Sequence, residues 1–381
     1  MKTGKKYLIA FLAIVFAFAH AGAAMAQVDT KAREAIVVDA HTGVVLLDKN
    51  ADARMPTSSM SKVMTIYMLF EDLKAGRVKL DDTFLVSEKA WRMGGSKMFI
   101  KVGDRVKVED LIRGIIIQSG NDATVAVAEG LAGSEAAFAE AMTARAKELG
   151  MTGSHFVNAS GWPDPEHYST PRDLALLAYR IIHDFPEYYH YFSEKEFTYN
   201  KIRQPNRLPI LASVKGADGL KTGHAEEAGY GLIGSAERDG RRVIVVVNGL
   251  ASEAERKEES TKLIEWAFRS FETKKLVVKG DEVQKAKVWL GKQEEVPLVA
   301  AEDLTVLLPR AKAKDVRMTV TFEGPLKAPV KQGEQVGTLK VEVPGQAPVE
   351  IKVAAGASVA RLGAWGRAKK RAGYIITHQA E

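Results

Sequence analysis

PTSSMSKVMTIYML, residues 56–69, sets Ser59 three residues ahead of Lys62 at the mouth of an apolar run. On a helix, positions i and i+3 share a face, so the amine can reach the hydroxyl. A serine alcohol is a poor nucleophile until a neighbouring base takes its proton. Lysine can be that base only if burial or another cation lowers its pKa. A helix N-terminus adds a positive field where an oxyanion would develop. Val63, Met64, Tyr67 and Phe70 would anchor such a helix, and Gly76 would stop it. Taken alone, the pair has a plainer explanation as an N-capping serine beside a surface lysine.

Working outward, AIVVDAHTGVVLLDK (35–49) is two apolar, β-branched runs around a His-Thr-Gly turn and predicts a hairpin. Residues 108–118, 122–132 and 134–150 carry helical spacing. TPRDLALLAYRIIHDFP (170–186) predicts a helix capped by Thr170, with Pro171 in its first turn. Two strand-like runs flank Asp239-Gly240, a hairpin turn. An amphipathic helix follows over 254–272. Strands at both ends and helices between predict an α/β (α+β) arrangement, a sheet assembled from both ends of the segment with helices packed on it. Beyond about residue 274, short strands alternate with Gly, Pro and Asp turns, which predicts a small all-β domain.

The ends of the chain read differently. Lys2, Lys5 and Lys6 precede an apolar stretch, Leu8 to Ala19, too short to span a bilayer comfortably, and then a small-x-small site, Ala24-Met25-Ala26. This predicts a secretory signal peptide cut after Ala26. The expected division is signal peptide 1–26, catalytic domain 27–273, β-rich domain 274–353 and basic tail 354–381. The tail holds Trp365, five basic residues from Arg361 to Arg371 and one acid; contact with an anionic membrane surface and a frayed, solvated end are both open.

The whole chain carries +6, but the signal takes away three lysines and no acid, leaving 51 basic against 48 acidic residues, or +3. That balance, with no basic stripe, points away from nucleic acid. There is no cysteine, which excludes thiol nucleophiles and thiolate metal sites. The histidines form no metal-binding spacing, so no metal or other cofactor is expected.

Two further elements complete the chemistry. Ser119-Gly120-Asn121 lies between two helical patterns and offers a hydroxyl and an amide on a tight loop. Lys221-Thr222-Gly223 follows a short extended segment; its amine and hydroxyl could grip a carboxylate while glycine lets a ligand lie against the backbone. Each alone reads equally as a capping loop or a turn, and Lys2-Thr3-Gly4 repeats the tripeptide to no purpose. The conjunction, in this order, is what carries information.

With these motifs the chain resembles the low-molecular-mass penicillin-binding proteins of the serine-type D-alanyl-D-alanine carboxypeptidase class. VVDAHTGVVL, LIRGIIIQSGNDA, HYSTPRDLALLA, KEFTYNKIRQPNRL, GADGLKTGHAEEAGYGL and WAFRSFE extend the resemblance in order. It implies the serine β-lactamase and penicillin-binding-protein-like transpeptidase fold. It further implies that Ser59 attacks the peptide carbonyl between two terminal D-alanines of a peptidoglycan stem peptide, with Lys62 as general base and hydrolysis of the acyl-enzyme by water. Ser119 and Asn121 would relay protons and hold substrate. Lys221 would help depress the pKa of Lys62, and Thr222 with Arg207 would bind the terminal carboxylate. The backbone N–H groups of Ser59 and His224, beside Gly223, would form the oxyanion hole. β-Lactam antibiotics would acylate Ser59, and the protein would work in the periplasm, on the outer face of the cytoplasmic membrane. Ala225 replaces a threonine frequent in the family, and Ser160-Gly161 lacks a histidine found in some members. A D,D-endopeptidase on cross-links, a class A-like β-lactamase and a non-catalytic wall-binding scaffold remain as alternatives.

Overall fold

A computed structural model describes residues 28–378; the expected signal peptide lies outside the described residues. Five antiparallel strands form the central sheet, in the order Val45–Lys49, Glu34–Asp39, Arg241–Leu250, Gly229–Arg238, Ala217–Ala225. The hairpin from the start of the chain therefore pairs with the last strand of the segment, as its two strand-rich ends predict. The Arg238↔Arg241 pairing closes the second hairpin at Asp239-Gly240, both with positive φ, the conformation a two-residue turn of this kind requires.

The run Val243–Val247 is continuously apolar although the sheet is antiparallel, because both of its faces are covered. Ile36, Val38, Ile244 and Val246 point into a core shared with the helices Lys62–Lys74, Val108–Ile116, Asn121–Ala132 and Pro171–Asp184. Their alternates Ala35, Val37, Val243, Val245 and Val247 pack on Leu263, Ile264 and Trp266 of the helix Glu253–Ser270. The helix Lys62–Lys74 is buried on nearly every side, through Val63, Met64, Ile66, Tyr67, Leu69 and Phe70. Tyr67 donates to Asp184 at 2.7 Å, and Phe70 is ringed by Phe185, Tyr188, Tyr191 and Phe192. The helix that carries Lys62 and follows directly on Ser59 is therefore one of the most firmly fixed elements among the described residues.

Strand Phe271–Val277 runs straight on from the helix Glu253–Ser270, through the expected boundary at 273–274, and pairs with Leu304–Pro309. Phe271 and Leu307 enter the core of the catalytic sheet, whereas Leu304, Val306 and Leu308 enter a separate core with Val296, Leu298, Val341 and Val353. A six-stranded sheet completes that second body; its pairs are antiparallel except Glu282–Trp289 with Leu326–Lys327, which is parallel. The tail differs from the frayed alternative. Residues Ala364–His378 form a helix across Gly366 and Gly373, since the intervening Ala, Lys and Arg residues are strong helix formers. Lys370 pairs with Glu294 at 3.3 Å, and Trp365 is 90% exposed. No helix of the described residues is long and apolar enough to cross a membrane.

Candidate active site

Ser59 lies in a single 3-10 turn, Ser58–Ser61, that feeds directly into the helix Lys62–Lys74. Lys62 Nζ lies 2.9 Å from Ser59 Oγ and donates to the carbonyl of Ser160 at 2.6 Å. The lysine is buried, and burial pushes its pKa down to about 7, with the Arg207 guanidinium the second cause and Asp122 and Glu135 opposing. The amine is thus held close to the hydroxyl in the state that can accept its proton.

Lys221 is buried on strand Ala217–Ala225, close enough to Lys62 for repulsion between the amines to matter. It is held well below the usual lysine range by burial first, then by Lys62, Arg207 and Arg256. The sequence gives Lys221 a share in depressing Lys62; in the structure burial is the first cause, Arg207 adds positive charge, and the two amines repel each other. Its strand passes directly against the turn that holds Ser59: a Cβ on Gly223 would sit 2.8 Å from the Thr57 carbonyl and 3.1 Å from Met60 Cγ. Glycine is required there by this approach. Thr222 is buried beside it, and the exposed His224 ring stacks on Tyr230 with centroids 4.0 Å apart.

Ser119 holds a positive φ of 62°, and its buried Oγ has no hydrogen-bond partner among the described residues. Backbone strain in a residue of this kind is stored at functional positions. Asn121 donates from its side chain to the Gly94 carbonyl at 2.8 Å and from its backbone to the Ser96 carbonyl at 2.8 Å. Arg207 donates to the hydroxyl of the same Ser96. The loop 94–96, invisible to the sequence reading, therefore ties Asn121 and Arg207 together. The Asp122 carboxylate fixes the continuation of that loop by accepting the backbone N–H groups of Met98 and Phe99, both at 2.9 Å, and of Ile100 at 3.4 Å. Both oxygens are used, so an amide cannot replace them without turning its own N–H groups onto donors. Asp122→Asn should lower stability by about 2–4 kcal/mol, read as a reduced urea midpoint, and slow penicillin acylation; an unchanged midpoint would remove Asp122 from this role.

Beside Ser59 lies a second network, through Ser61, that the sequence reading missed. Val157 N–H donates to His167 Nδ1 at 3.3 Å, which places the ring proton on Nε2, and Nε2 lies 2.7 Å from Ser61 Oγ. Ser61 in turn meets Thr57 Oγ1. Burial pushes His167 down to about 4, so the ring is neutral at pH 7 and holds Ser61 from below. Among the described residues, no group of three His, Cys, Asp or Glu side chains could hold a metal ion.

With this geometry in place, residues 21–252 match the family described as D-alanyl-D-alanine carboxypeptidase. The chain belongs to that family. Residues 271–361 match the penicillin-binding protein 5 C-terminal domain. Over 351 residues the chain is 41% identical to the D-alanyl-D-alanine carboxypeptidase DacC of Escherichia coli K12, covering 89% of this chain and 88% of that one. Penicillin-binding protein 5 from Haemophilus influenzae superposes with a TM-score of 0.74 at 34% identity, covering 89% of this chain and all of that one. The ampicillin-bound penicillin-binding protein D2 from Listeria monocytogenes superposes with a TM-score of 0.59 at 33% identity, over 64% of this chain and 99% of that one. The family relationship bears out the expected fold, with mixed helices on an antiparallel sheet and a C-terminal β-domain.

Proposed function

We propose that the protein removes the terminal D-alanine from peptidoglycan stem pentapeptides through an acyl-enzyme on Ser59. The observation that carries this reading is the 2.9 Å approach of Lys62 Nζ to Ser59 Oγ, with the lysine pKa at about 7. Neutral Lys62 accepts the hydroxyl proton as Ser59 Oγ bonds to the carbonyl carbon. The C–N bond to the last residue then breaks, and the departing amine takes a proton returned from Lys62, with the Ser119 hydroxyl in the relay. Asn121 holds the peptide. Thr222 and Arg207 bind the terminal carboxylate, while the backbone N–H groups of Ser59 and His224 receive the oxyanion. Water hydrolyses the acyl-enzyme. A β-lactam presents the same carbonyl, which fits the ampicillin-bound relative.

The signal-peptide pattern supports export with cleavage after Ala26, to the periplasmic side of the membrane. A catalytic unit over 27–273 and a β-rich unit over 274–353 agree with two cores that meet at the strand Phe271–Val277. The exposed Trp365 and the basic residues from Arg361 to Arg371 support contact of the tail with an anionic membrane surface.

The test is incubation of purified protein with a pentapeptide muropeptide. Release of D-alanine should be lost in Ser59→Ala, together with the covalent penicillin adduct in mass spectrometry. Release that persists in Ser59→Ala would refute the assignment.

A further inference from the structure

The turn 158–162 aims the Ser160 carbonyl at Lys62 and ends on Trp162, which is 46% exposed. Asn158 holds this turn without the indole. Its Oδ1 accepts the backbone N–H groups of Ser160, Gly161 and Trp162, and its Nδ2 donates to the Trp162 carbonyl at 3.0 Å. The indole reaches across to the loop 94–96 instead. A Cβ on Gly94 would lie 3.2 Å from its Cη2, and one on Gly95 would lie 3.4 Å from its Cζ3 and 3.0 Å from Asn121 Nδ2. The ring edge thus rests on both glycines, next to the Asn121 amide.

That loop has little else to hold it. Gly94 and Gly95 are exposed and bring no side chain to pack, and Gly95 has a φ of +69°. Glycine also loses more conformational freedom on ordering than any other residue. Asp122 fixes the chain only further on, at Met98, Phe99 and Ile100. Yet the loop carries the acceptors for two groups of the site. The Gly94 carbonyl takes the Asn121 side chain, the Ser96 carbonyl takes the Asn121 N–H, and the Ser96 hydroxyl takes Arg207. Drift of the loop therefore moves both, and a misplacement of about 1 Å can cost on the order of 100-fold in rate.

We propose that Trp162 is a positioning residue for the reaction: its indole packs the glycine loop into the place from which Asn121 and Arg207 hold the substrate. This rests on the assignment of those two residues above. The turn that serves the base and the loop that serves the substrate are thereby joined through one side chain.

Trp162→Ala and Trp162→Phe test this. With a pentapeptide muropeptide, Trp162→Ala should raise the KM for D-alanine release about tenfold or more, while Trp162→Phe, which keeps a ring over the glycines, should stay within about threefold. The pH midpoint should not move, because the Asn158 bonds that orient the Ser160 carbonyl remain. A fold merely weakened would lower the active fraction, and with it kcat, at unchanged KM. Hydrogen exchange without substrate reads the packing directly. The Asn121 N–H, bonded to the Ser96 carbonyl, should exchange about tenfold faster or more in Trp162→Ala and keep its rate in Trp162→Phe. A raised KM with exchange unchanged would make Trp162 a substrate contact, and a loss confined to kcat would make it structural; either overturns the proposal. Absence of D-alanine release from the unsubstituted protein would refute the underlying reading rather than the packing, which the exchange comparison still decides.

Discussion

Lys62→Met is expected to lower the rate of penicillin acylation by on the order of 10³- to 10⁴-fold, the contribution of a positioned general base. Methionine fills similar space in the buried site but offers Ser59 no basic nitrogen, and it leaves the Ser160 carbonyl without its donor. In the unsubstituted protein the reactive species is the neutral amine, whose pKa is about 7. Acylation should therefore fall about tenfold per pH unit below 7 and level off above it. Fluorescent-penicillin labelling from pH 5 to 9 reads both effects. A rate independent of pH between 5 and 8, or a Lys62→Met variant within tenfold of the original, would remove Lys62 as the base.

The same substitution should affect stability in the opposite sense. A lysine whose folded pKa lies near 7, against 10.5 when exposed, binds fewer protons in the fold than in the unfolded chain between those values. Stability from this group consequently rises as pH rises from about 7 to about 10.5, and the penalty is fully present below 7. Lys62→Met removes it. The variant should gain on the order of a few kcal/mol at pH 6 and little at pH 10.5, which urea unfolding at the two values can compare.

How much of this was legible depended on whether the chemistry was local in the chain. Ser59 and Lys62 sit three residues apart and meet through helix geometry alone. That the sheet is assembled from both ends of the segment was legible because strand-like runs lie at 35–49 and on either side of Asp239-Gly240; that both its faces are covered was not. The partners that tune Lys62 were not. The Ser160 carbonyl is 98 residues distant and carries no side-chain signal. The loop 94–96 acts through backbone carbonyls and one serine hydroxyl, and its sequence reads as an ordinary glycine turn. His167 and Asp122 give weaker signals: a neutral histidine or a carboxylate inside a motif block looks the same whether it is solvated or, as here, used as a buried support. The leading origin of the Lys62 shift was out of reach for a related reason. Spacing shows that cations converge, but only packing shows that burial leads and that Arg207 joins the two amines in opposing each other's charge. The tail helix was hard to read because Gly366 and Gly373 interrupt a run whose other residues, Ala, Lys and Arg, favour it.

Gly161 is where the largest structural penalty should fall. Its φ is +76°, and a Cβ there would lie 1.8 Å from the Ser58 carbonyl oxygen and 2.4 Å from the Ser58 carbonyl carbon. Neither atom can yield, because Ser58 opens the turn that carries Ser59. The other side is equally fixed: Asn158 Oδ1 accepts the N–H groups of Ser160, Gly161 and Trp162 at 3.2, 2.8 and 3.0 Å, and this turn aims the Ser160 carbonyl at Lys62. Gly161→Ala must therefore displace either the nucleophile turn or the carbonyl that holds its base. A stability loss above about 3 kcal/mol is expected, with acylation reduced even in the fraction that remains folded. Gly133→Ala is the control. That glycine has the same φ of +76° and nothing within 4 Å of a Cβ, so only backbone strain remains, about 1 kcal/mol. Urea midpoints for the two variants separate strain from collision. Equal losses would mean that the contact between the 158–162 turn and Ser58 does not constrain the active site.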